Sequence, residues 1–265
     1  MSEFGHIRAK KSLGQNFLKD PYYLKKITVA AGVSTEDMVL EIGPGLGHLT
    51  RILAAKARYV LAIELDDRLI PLLQKNISNA LNVEIVHADA LTYSYSALAG
   101  KWKVVANLPY YISSPIIQKL ITHRNKFISL TLMLQKEVAD RIVSPPGSKE
   151  YGYLSIFVQL YALPRIEFLV PAGAFVPKPD VDSAVITLLP HETIVEPLRD
   201  EAFFLRVVRA AFSQRRKTLR NALRQLEVPK EKMEAVFDGT GIDLGRRAET
   251  LSIEEFARLA EFLHN

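Results

Sequence analysis

The chain contains no cysteine and only one tryptophan among its 265 residues. Without cysteine it forms no disulfide, carries no thiolate nucleophile and has no thiolate ligand for zinc. No apolar run approaches the length that spans a bilayer, and residues 1–11 are polar and basic, without the apolar core of a secretory signal. We therefore expect a soluble, cytoplasmic protein with no membrane contact.

Histidine is also scarce. The six histidines are scattered and form no pair at the helical spacing of metal ligands, and no serine, histidine and aspartate arrangement typical of a hydrolase is visible. We expect no metal in the site.

Positive charge is concentrated in patches. The formal net charge is +5, and residues 202–226 contain seven basic residues and no acid. A basic patch is typical of a nucleic-acid-binding surface, although a solvated helix face has the same composition.

Short apolar runs alternate with helical patterns along the first part of the chain. The predicted strands are 38–42, 60–64, 83–86, 104–106 and 129–134. The predicted helices are 21–31, 49–57, 68–79, 115–123 and 136–144. This alternation predicts a parallel, doubly wound α/β sheet, to which 166–170 and 183–189 could add an antiparallel edge.

Residues 190–197 are the best linker candidate, and the pattern beyond them is purely helical. The helices predicted there are 201–212, 215–225, 230–237 and 253–263. We predict an α/β domain over residues 1–189 and a small all-helical domain over residues 190–265.

A glycine-rich turn, Gly43-Pro44-Gly45-Leu46-Gly47, follows the first predicted strand. Glycine permits a tight turn and lets a ligand lie against bare backbone. The spacing is not that of a dinucleotide fold, and the lysine of a P-loop is missing. A plain strand-to-helix connection remains open for this turn alone.

Two carboxylates follow the next two strands. Glu64 ends its strand about 20 residues on, where nucleoside-binding sheets hold ribose hydroxyls, and Asp89 follows the strand after it. Each acid alone is compatible with a helix cap or a solvated loop. Glycines, acid and acid at three successive strand ends predict a nucleoside cofactor, with Asp89 accepting from its adenine amine.

The fourth strand runs into Asn107-Leu108-Pro109-Tyr110. The N6 amine of adenine is a poor nucleophile because its lone pair is delocalised into the ring. The Asn107 oxygen and the Leu108 carbonyl, held by Pro109, are acceptors that favour a pyramidal nitrogen. Tyr110 offers a ring on which an extruded base can stack. A simple β-turn uses the same residue types.

A second segment, 175–183, contains two prolines and is stiff and extended. Phe175 is predicted to close the other face of the base pocket. A proline-rich loop with a core aromatic is the alternative.

Five motifs together resemble one family along essentially the full chain. They are KSLGQNFL at 11–18, EIGPGLG at 41–47, NLPY at 107–110, FVPKPDVDS at 175–183 and AFSQRRKTL at 211–219. The family is that of the bacterial small-subunit ribosomal RNA adenine dimethyltransferases (KsgA/RsmA). The resemblance implies a Rossmann-like class I methyltransferase sheet, with S-adenosyl-L-methionine as methyl donor and S-adenosylhomocysteine as product.

The resemblance also implies the substrate and the site. Two methyl groups go to each N6 amine of two adjacent adenosines near the 3′ end of 16S rRNA, with a role in subunit maturation. The target base sits between Tyr110 and Phe175. The implied cofactor contacts, to which the glycine-rich turn adds Gly45, are Asn16, Leu18, Gly43, Glu64, Asp89 and Asn107.

The basic segment is the predicted RNA contact. On a helix over 215–225, Arg216, Arg220 and Arg224 form one stripe, beside Arg215 and Lys217. We expect this stripe to contact RNA phosphates, with a solvated face as the alternative. Related methylases of large-subunit rRNA look different here, so the segment favours 16S rRNA, within an immature 30S subunit, as the partner.

Three functions remain open from sequence alone. They are the rRNA dimethyltransferase, an N6-adenine methyltransferase acting on DNA or another RNA, and a non-enzymatic assembly factor that binds the ribosome. A scaffold has no use for Glu64, Asp89 and Asn107 together, which favours an enzyme. Nothing in the sequence demands a dimer, and we expect a monomer.

Overall fold

The computed structural model of the protein describes residues 15–214 and 216–264. The chain divides into two compact units. The first consists of the residues up to Ala139 together with Leu163–Pro190, and it carries the sheet. The second consists of Asp140–Ala162 and the residues from His191 onward, and it is helical.

The sequence predicted a single domain boundary at residue 190. In the structure, Asp140–Ala162 also groups with the C-terminal residues. Hydrogen bonds explain this grouping. The Gly147 N–H donates to the Glu249 carbonyl over 2.7 Å, and the Tyr161 hydroxyl donates to the Glu201 carboxylate. These long-range contacts leave no trace in local sequence patterns.

The strands in the described chain are β1 (Phe17–Leu18), β2 (Met38–Ile42), β3 (Tyr59–Glu64), β4 (Val83–His87), β5 (Trp102–Asn107), β6 (Phe127–Gln135), β7 (Ala162–Val170), β8 (Phe175–Val176) and β9 (Ser183–Pro190). The main sheet has the order β4-β3-β2-β5-β6-β9-β7. The pairs from β4 to β6 are parallel, whereas β6 and β9 are antiparallel. The structure thus confirms the parallel doubly wound sheet and the antiparallel strand at 183–189. A separate small sheet pairs β1 with β8.

The helices in the described chain are α1 (Pro21–Ala30), α2 (His48–Ala54), α3 (Ile70–Asn76), α4 (Ser113–Thr122), α5 (Lys136–Val143), α6 (Tyr153–Tyr161), α7 (Glu201–Phe212), α8 (Leu219–Ala222), α9 (Lys230–Glu234), α10 (Val236–Thr240) and α11 (Ile253–His264). Helix α1 begins as predicted, because the Asp20 carboxylate accepts from the Tyr22 N–H and Pro21 occupies the first turn. None of the helices in the described ranges is both long and apolar enough to span a bilayer.

The strand order places the site. The core strands are buried on both faces, as the fully covered successive residues Val39 and Leu40 show, so their sequences read as continuous apolar runs. Strand β2 pairs with β3 on one side and β5 on the other. The strand order therefore reverses direction at β2. Ligands of open parallel sheets bind at such a reversal, outside the carboxyl ends of the strands. Gly43 and Asn107 stand at this point: a Cβ on Gly43 would lie 3.7 Å from the Asn107 carbonyl oxygen.

Two helix predictions in the second unit are wrong in their bounds. The helix predicted over 215–225 begins only at Leu219, because the N–H groups of Leu219 and Arg220 donate to the carbonyls of Arg246 and Leu244. Arg216 therefore lies in a turn, outside the predicted stripe. The helix predicted over 230–237 is divided into α9 and α10.

Candidate functional site

A cleft opens at the carboxyl ends of β2, β3, β4 and β5. It encloses about 760 Å³, part of it open to solvent. Most of the predicted site residues line it together: Asn16, Gly43, Gly45, Glu64, Asp89, Asn107, Leu108, Pro109 and Tyr110. Predictions made from separate strand ends therefore converge on one cavity.

The glycine-rich turn forms the floor of the cleft. Gly43 and Gly45 have φ angles of 70° and 58°, in the left-handed region that favours glycine. The Gly45 N–H donates to Glu64 Oε2 over 3.0 Å. A Cβ on Gly45 would lie 3.0 Å from the Phe17 ring, so only glycine allows this ring to lie against the turn.

Glu64 is almost fully buried at the end of β3. Its Oε2 accepts from Gly45, and its Oε1 accepts from the Asp66 N–H over 2.8 Å. Burial raises the pKa of Glu64, and the backbone donors oppose that shift. The Leu65 N–H is a third backbone donor to this carboxylate. Since a carboxylate has about four acceptor positions, this one retains capacity for a ribose hydroxyl.

Asp89 lines the same cleft after β4. Its Oδ1 accepts from the Leu91 N–H over 2.8 Å, and the neighbouring Ala88 N–H donates to the Glu64 carbonyl over 3.0 Å. The second carboxylate oxygen of Asp89 remains available to a ligand donor such as an adenine amine. Glycines with bare backbone, Glu64 and Asp89 therefore fit a nucleoside cofactor.

The predicted catalytic turn is held on both sides. Asn107 Nδ2 donates to the Asn16 carbonyl over 3.2 Å, which leaves Asn107 Oδ1 as an acceptor. The Leu108 N–H donates to the Met133 carbonyl over 3.0 Å. The Tyr110 hydroxyl bonds to the buried Ser183 hydroxyl over 2.7 Å, and burial raises the pKa of Tyr110. The tyrosine ring is thereby fixed in the wall of the cleft.

Residues 15–18, which we call the N-terminal strap, close one side of the cleft. Gln15 Nε2 donates to Asp66 Oδ2 over 2.8 Å, and β1 pairs with β8. Asp66 also pairs with Arg68 at 2.6 Å, and this hydrogen-bonded partner lowers the pKa of Asp66 to about 2. The strap packs where the family resemblance implied a cofactor contact.

A smaller cavity adjoins the cleft and shares Phe17, Gly43, Gly45 and Asn107 with it. Glu41 lines this cavity and is 1% exposed. Its Oε2 has no hydrogen-bond partner in the described chain. Burial, assisted by the charge of Glu64, raises the pKa of Glu41 to about 8, so this carboxyl is largely protonated at neutral pH.

Two predicted site residues lie elsewhere than in the main cleft. Leu18 is 5% exposed and lines the smaller cavity. Phe175 is 2% exposed and belongs to the hydrophobic core with Leu18, Leu24 and Val185. The ladder between β8 and β1 turns its ring into that core, so the structure does not place Phe175 opposite Tyr110.

Four of the five predicted RNA-binding residues are described by the structure, and all four are solvent-exposed. Arg216, Lys217, Arg220 and Arg224 form no ion pair with any acid in the described chain. Lys217 and Arg224 line a polar groove together with three side-chain amides, those of Gln214, Asn221 and Gln225. Arg215 and residues 11–14 lie outside the described residues.

Sequence reasoning missed several residues that shape the site. Gln15, Asp66 and Ser183 hold the strap and the tyrosine through contacts between distant segments. The signals were present, because Gln15 and Ser183 lie inside motifs of the family resemblance, but their partners could not be read from the sequence. No three His, Asp or Glu side chains of the described residues group as metal ligands.

Comparison with known proteins agrees with this geometry. A model of the family described as ribosomal RNA adenine dimethylase matches residues 6–265. A protein of Clostridium botulinum (strain Okra / Type B1) named ribosomal RNA small subunit methyltransferase A is 46% identical over 98% of this chain and 95% of its own. A protein of the same name from Listeria welshimeri is 47% identical over 96% of this chain and 90% of its own.

Solved structures show the same likeness. A dimethyladenosine transferase from Plasmodium falciparum superposes with a TM-score of 0.78 at 31% identity, covering 92% of this chain and 95% of the other. The 23S rRNA methyltransferase ErmE gives 0.70 at 28% identity, covering 94% and 100%. With the family model matched from residue 6 to the last residue, the chain belongs to the ribosomal RNA adenine dimethylases.

Proposed function

We propose that this chain dimethylates the N6 amines of two adjacent adenosines near the 3′ end of 16S rRNA in the small ribosomal subunit. The protein is an enzyme of the adenine dimethylase family, and its methyl donor is S-adenosyl-L-methionine, with S-adenosylhomocysteine as product. One observation carries the proposal: a single cleft joins the nucleoside-holding residues Gly45, Glu64 and Asp89 to Asn107 and Tyr110.

The chemistry follows from the acceptors around the turn. When bound, S-adenosyl-L-methionine supplies an electrophilic methyl group on a sulfonium. Asn107 Oδ1 and the Leu108 carbonyl accept the two amine hydrogens of adenine and favour a pyramidal nitrogen whose lone pair points at that methyl. The methylated nitrogen is acidic, and its proton passes to water, so the site needs no strong base. Catalysis then rests mainly on positioning.

The target base must leave its stack to reach this turn. Tyr110, fixed through Ser183, provides one wall for the extruded adenine. Phe175 supports the site indirectly, because β8 holds β1 and with it the N-terminal strap.

We further propose that the basic segment around Arg216, Lys217, Arg220 and Arg224, with Arg215, binds rRNA phosphates. Four exposed cations that form no ion pair within the described chain, beside amide side chains, support this role. The proposed particle is an immature 30S subunit in the cytoplasm, where subunits are assembled, and the proposed active form is a monomer that also takes part in subunit maturation.

The likeness to ErmE over nearly the whole chain favours one second candidate, methylation of adenine in large-subunit rRNA. The two functions are separated by the substrate. Unmethylated 30S subunits, 23S rRNA and DNA are each offered with labelled S-adenosyl-L-methionine, and the products are digested to nucleosides. We expect N6,N6-dimethyladenosine from 30S subunits alone. Preferential labelling of 23S rRNA or DNA would contradict the proposal, as would failure of the pure protein to bind the donor.

A further inference from the structure

Two consecutive tyrosines at the cleft are treated differently by the fold. Tyr110 is partly buried and anchored to Ser183. Tyr111 also lines the cleft, yet it is 52% exposed. An exposed aromatic ring at the edge of a ligand site offers apolar area that some part of the substrate can cover.

The position of Tyr111 is rigid. Residues Tyr110–Ile112 form a 3₁₀ turn directly before α4. The Ile112 N–H donates to the Pro109 carbonyl over 3.2 Å, and Ser113 Oγ donates to the Tyr110 carbonyl over 3.1 Å. The turn therefore presents the second tyrosine at the rim of the cleft without a flexible loop.

The nucleic acid needs such a surface. When the target adenine leaves its stack, the adjacent base loses a stacking partner on one face, and this loss is part of the energetic cost of extrusion. An aromatic side chain replaces a missing stack without hydrogen-bond readout of the base, because every base has a π-face, and only the strength of stacking differs between bases. Tyr111 directly follows Tyr110, which bounds the target base, so its ring is the aromatic surface nearest in sequence for the adjacent base.

We propose that Tyr111 stacks on the nucleobase adjacent to the target adenosine, so that two consecutive tyrosines receive two consecutive bases. This inference rests on the proposed function and specifies its substrate: an unpaired dinucleotide step whose second member is a purine, since a larger ring covers more of the tyrosine. Methylation of N6 leaves the π-face intact. After a shift of one nucleotide, a dimethylated adenine therefore stacks at the rim while its unmodified neighbour enters the cleft.

The test uses the full-length protein and reconstituted, unmethylated 30S subunits. In these subunits one of the two adjacent adenosines is either kept or replaced by guanosine or uridine. Methyl transfer to the remaining adenosine is measured as kcat and KM. For the unaltered protein we expect the purine neighbours to give a kcat/KM about tenfold above that of uridine. Tyr111→Ala should lower the purine values to near the uridine value, whereas Tyr111→Phe keeps the ring and the preference.

Two controls separate this role from others. The Tyr22 ring on α1 is 62% exposed and is not among the residues that line the cleft. Tyr22→Ala should therefore leave the preference for a purine neighbour unchanged. Donor affinity of Tyr111→Ala, measured by calorimetry, should also be unchanged. No preference in the unaltered protein, an intact preference in Tyr111→Ala, or a loss confined to donor binding would each overturn the inference. Absence of methyl transfer to any 30S substrate would instead overturn the proposed function.

Discussion

The donor cleft and the basic segment are built in opposite ways. In the cleft, Glu64 and Asn107 are held by hydrogen bonds before any ligand arrives. In the basic segment, Arg216 and Arg220 are exposed, although Arg246 in the same unit pairs with Glu255. The difference fits the proposed roles, because a small cofactor requires fixed geometry, whereas an RNA backbone can be recognised by charge that tolerates imprecise placement.

The largest effect should come from Asn107→Ala, which removes the acceptor that we propose for the transition state. We expect kcat for 30S methylation to fall about 10²–10³-fold at saturating donor, similar to the loss of one preorganised hydrogen-bonding group in other enzymes. Asn82→Ala is the matched control, because Asn82 donates to the Ala54 and Ala57 carbonyls far from the turn. It should lower thermal stability but not kcat. Full activity of Asn107→Ala would refute the geometric account of the cleft.

The next effect concerns the donor itself. Glu64→Gln removes the charge and sets an amide NH₂ against backbone donors, so donor affinity should fall about 10- to 100-fold in calorimetry. Asp67→Asn, an exposed neutralisation three residues away, should leave it unchanged. Equal losses in both variants would show that net charge, not the position of the carboxylate, holds the donor.

A smaller and salt-dependent effect is expected on the basic side. Reversing Arg216 and Arg220 to Glu should weaken 30S binding at physiological salt, and each lost phosphate contact should reduce the salt slope by about one. Donor affinity should stay the same. Lys230→Glu, at an exposed residue paired with Glu234, is the control. An RNA affinity that is unchanged in the double variant would show that this segment does not contact RNA.

The smallest effect on activity is expected from Glu41→Gln, because glutamine mimics the protonated acid. This variant should change the pH dependence of stability rather than activity. Burial raises the pKa of Glu41 from its ordinary value of 4.5 to about 8 in the folded protein. Its contribution to stability is therefore complete below about pH 4.5 and is lost as pH rises through 8. Between these pH values Glu41 should cost about 1.4 kcal/mol of stability for each pH unit, and denaturant titrations should show the slope reduced by about this amount in the variant. An unchanged slope would show that another group, and not Glu41, carries it.

Much of the fold and half of the site follow from local patterns. The parallel strands are recognisable in the sequence as buried apolar runs. Strand ends share one edge of a sheet, and this brings together Gly43, Glu64, Asp89 and Asn107. The partner of Tyr110 could not be predicted, and the sequence left the burial of Phe175 as one of two alternatives, since both depend on segments that meet only in three dimensions. The basic helix was predicted too long because tertiary bonds to Leu244 and Arg246 override its periodicity.

The pairing of Leu18 with Phe175 has a consequence for synthesis of the protein. The glycine turn and Glu64 leave the ribosome early, but the strap gains its strand partner only after β8 has been translated. We therefore expect high-affinity capture of the donor only once most of the first unit has been made. Donor that binds the folded chain but not the unfolded one should then stabilise it by mass action.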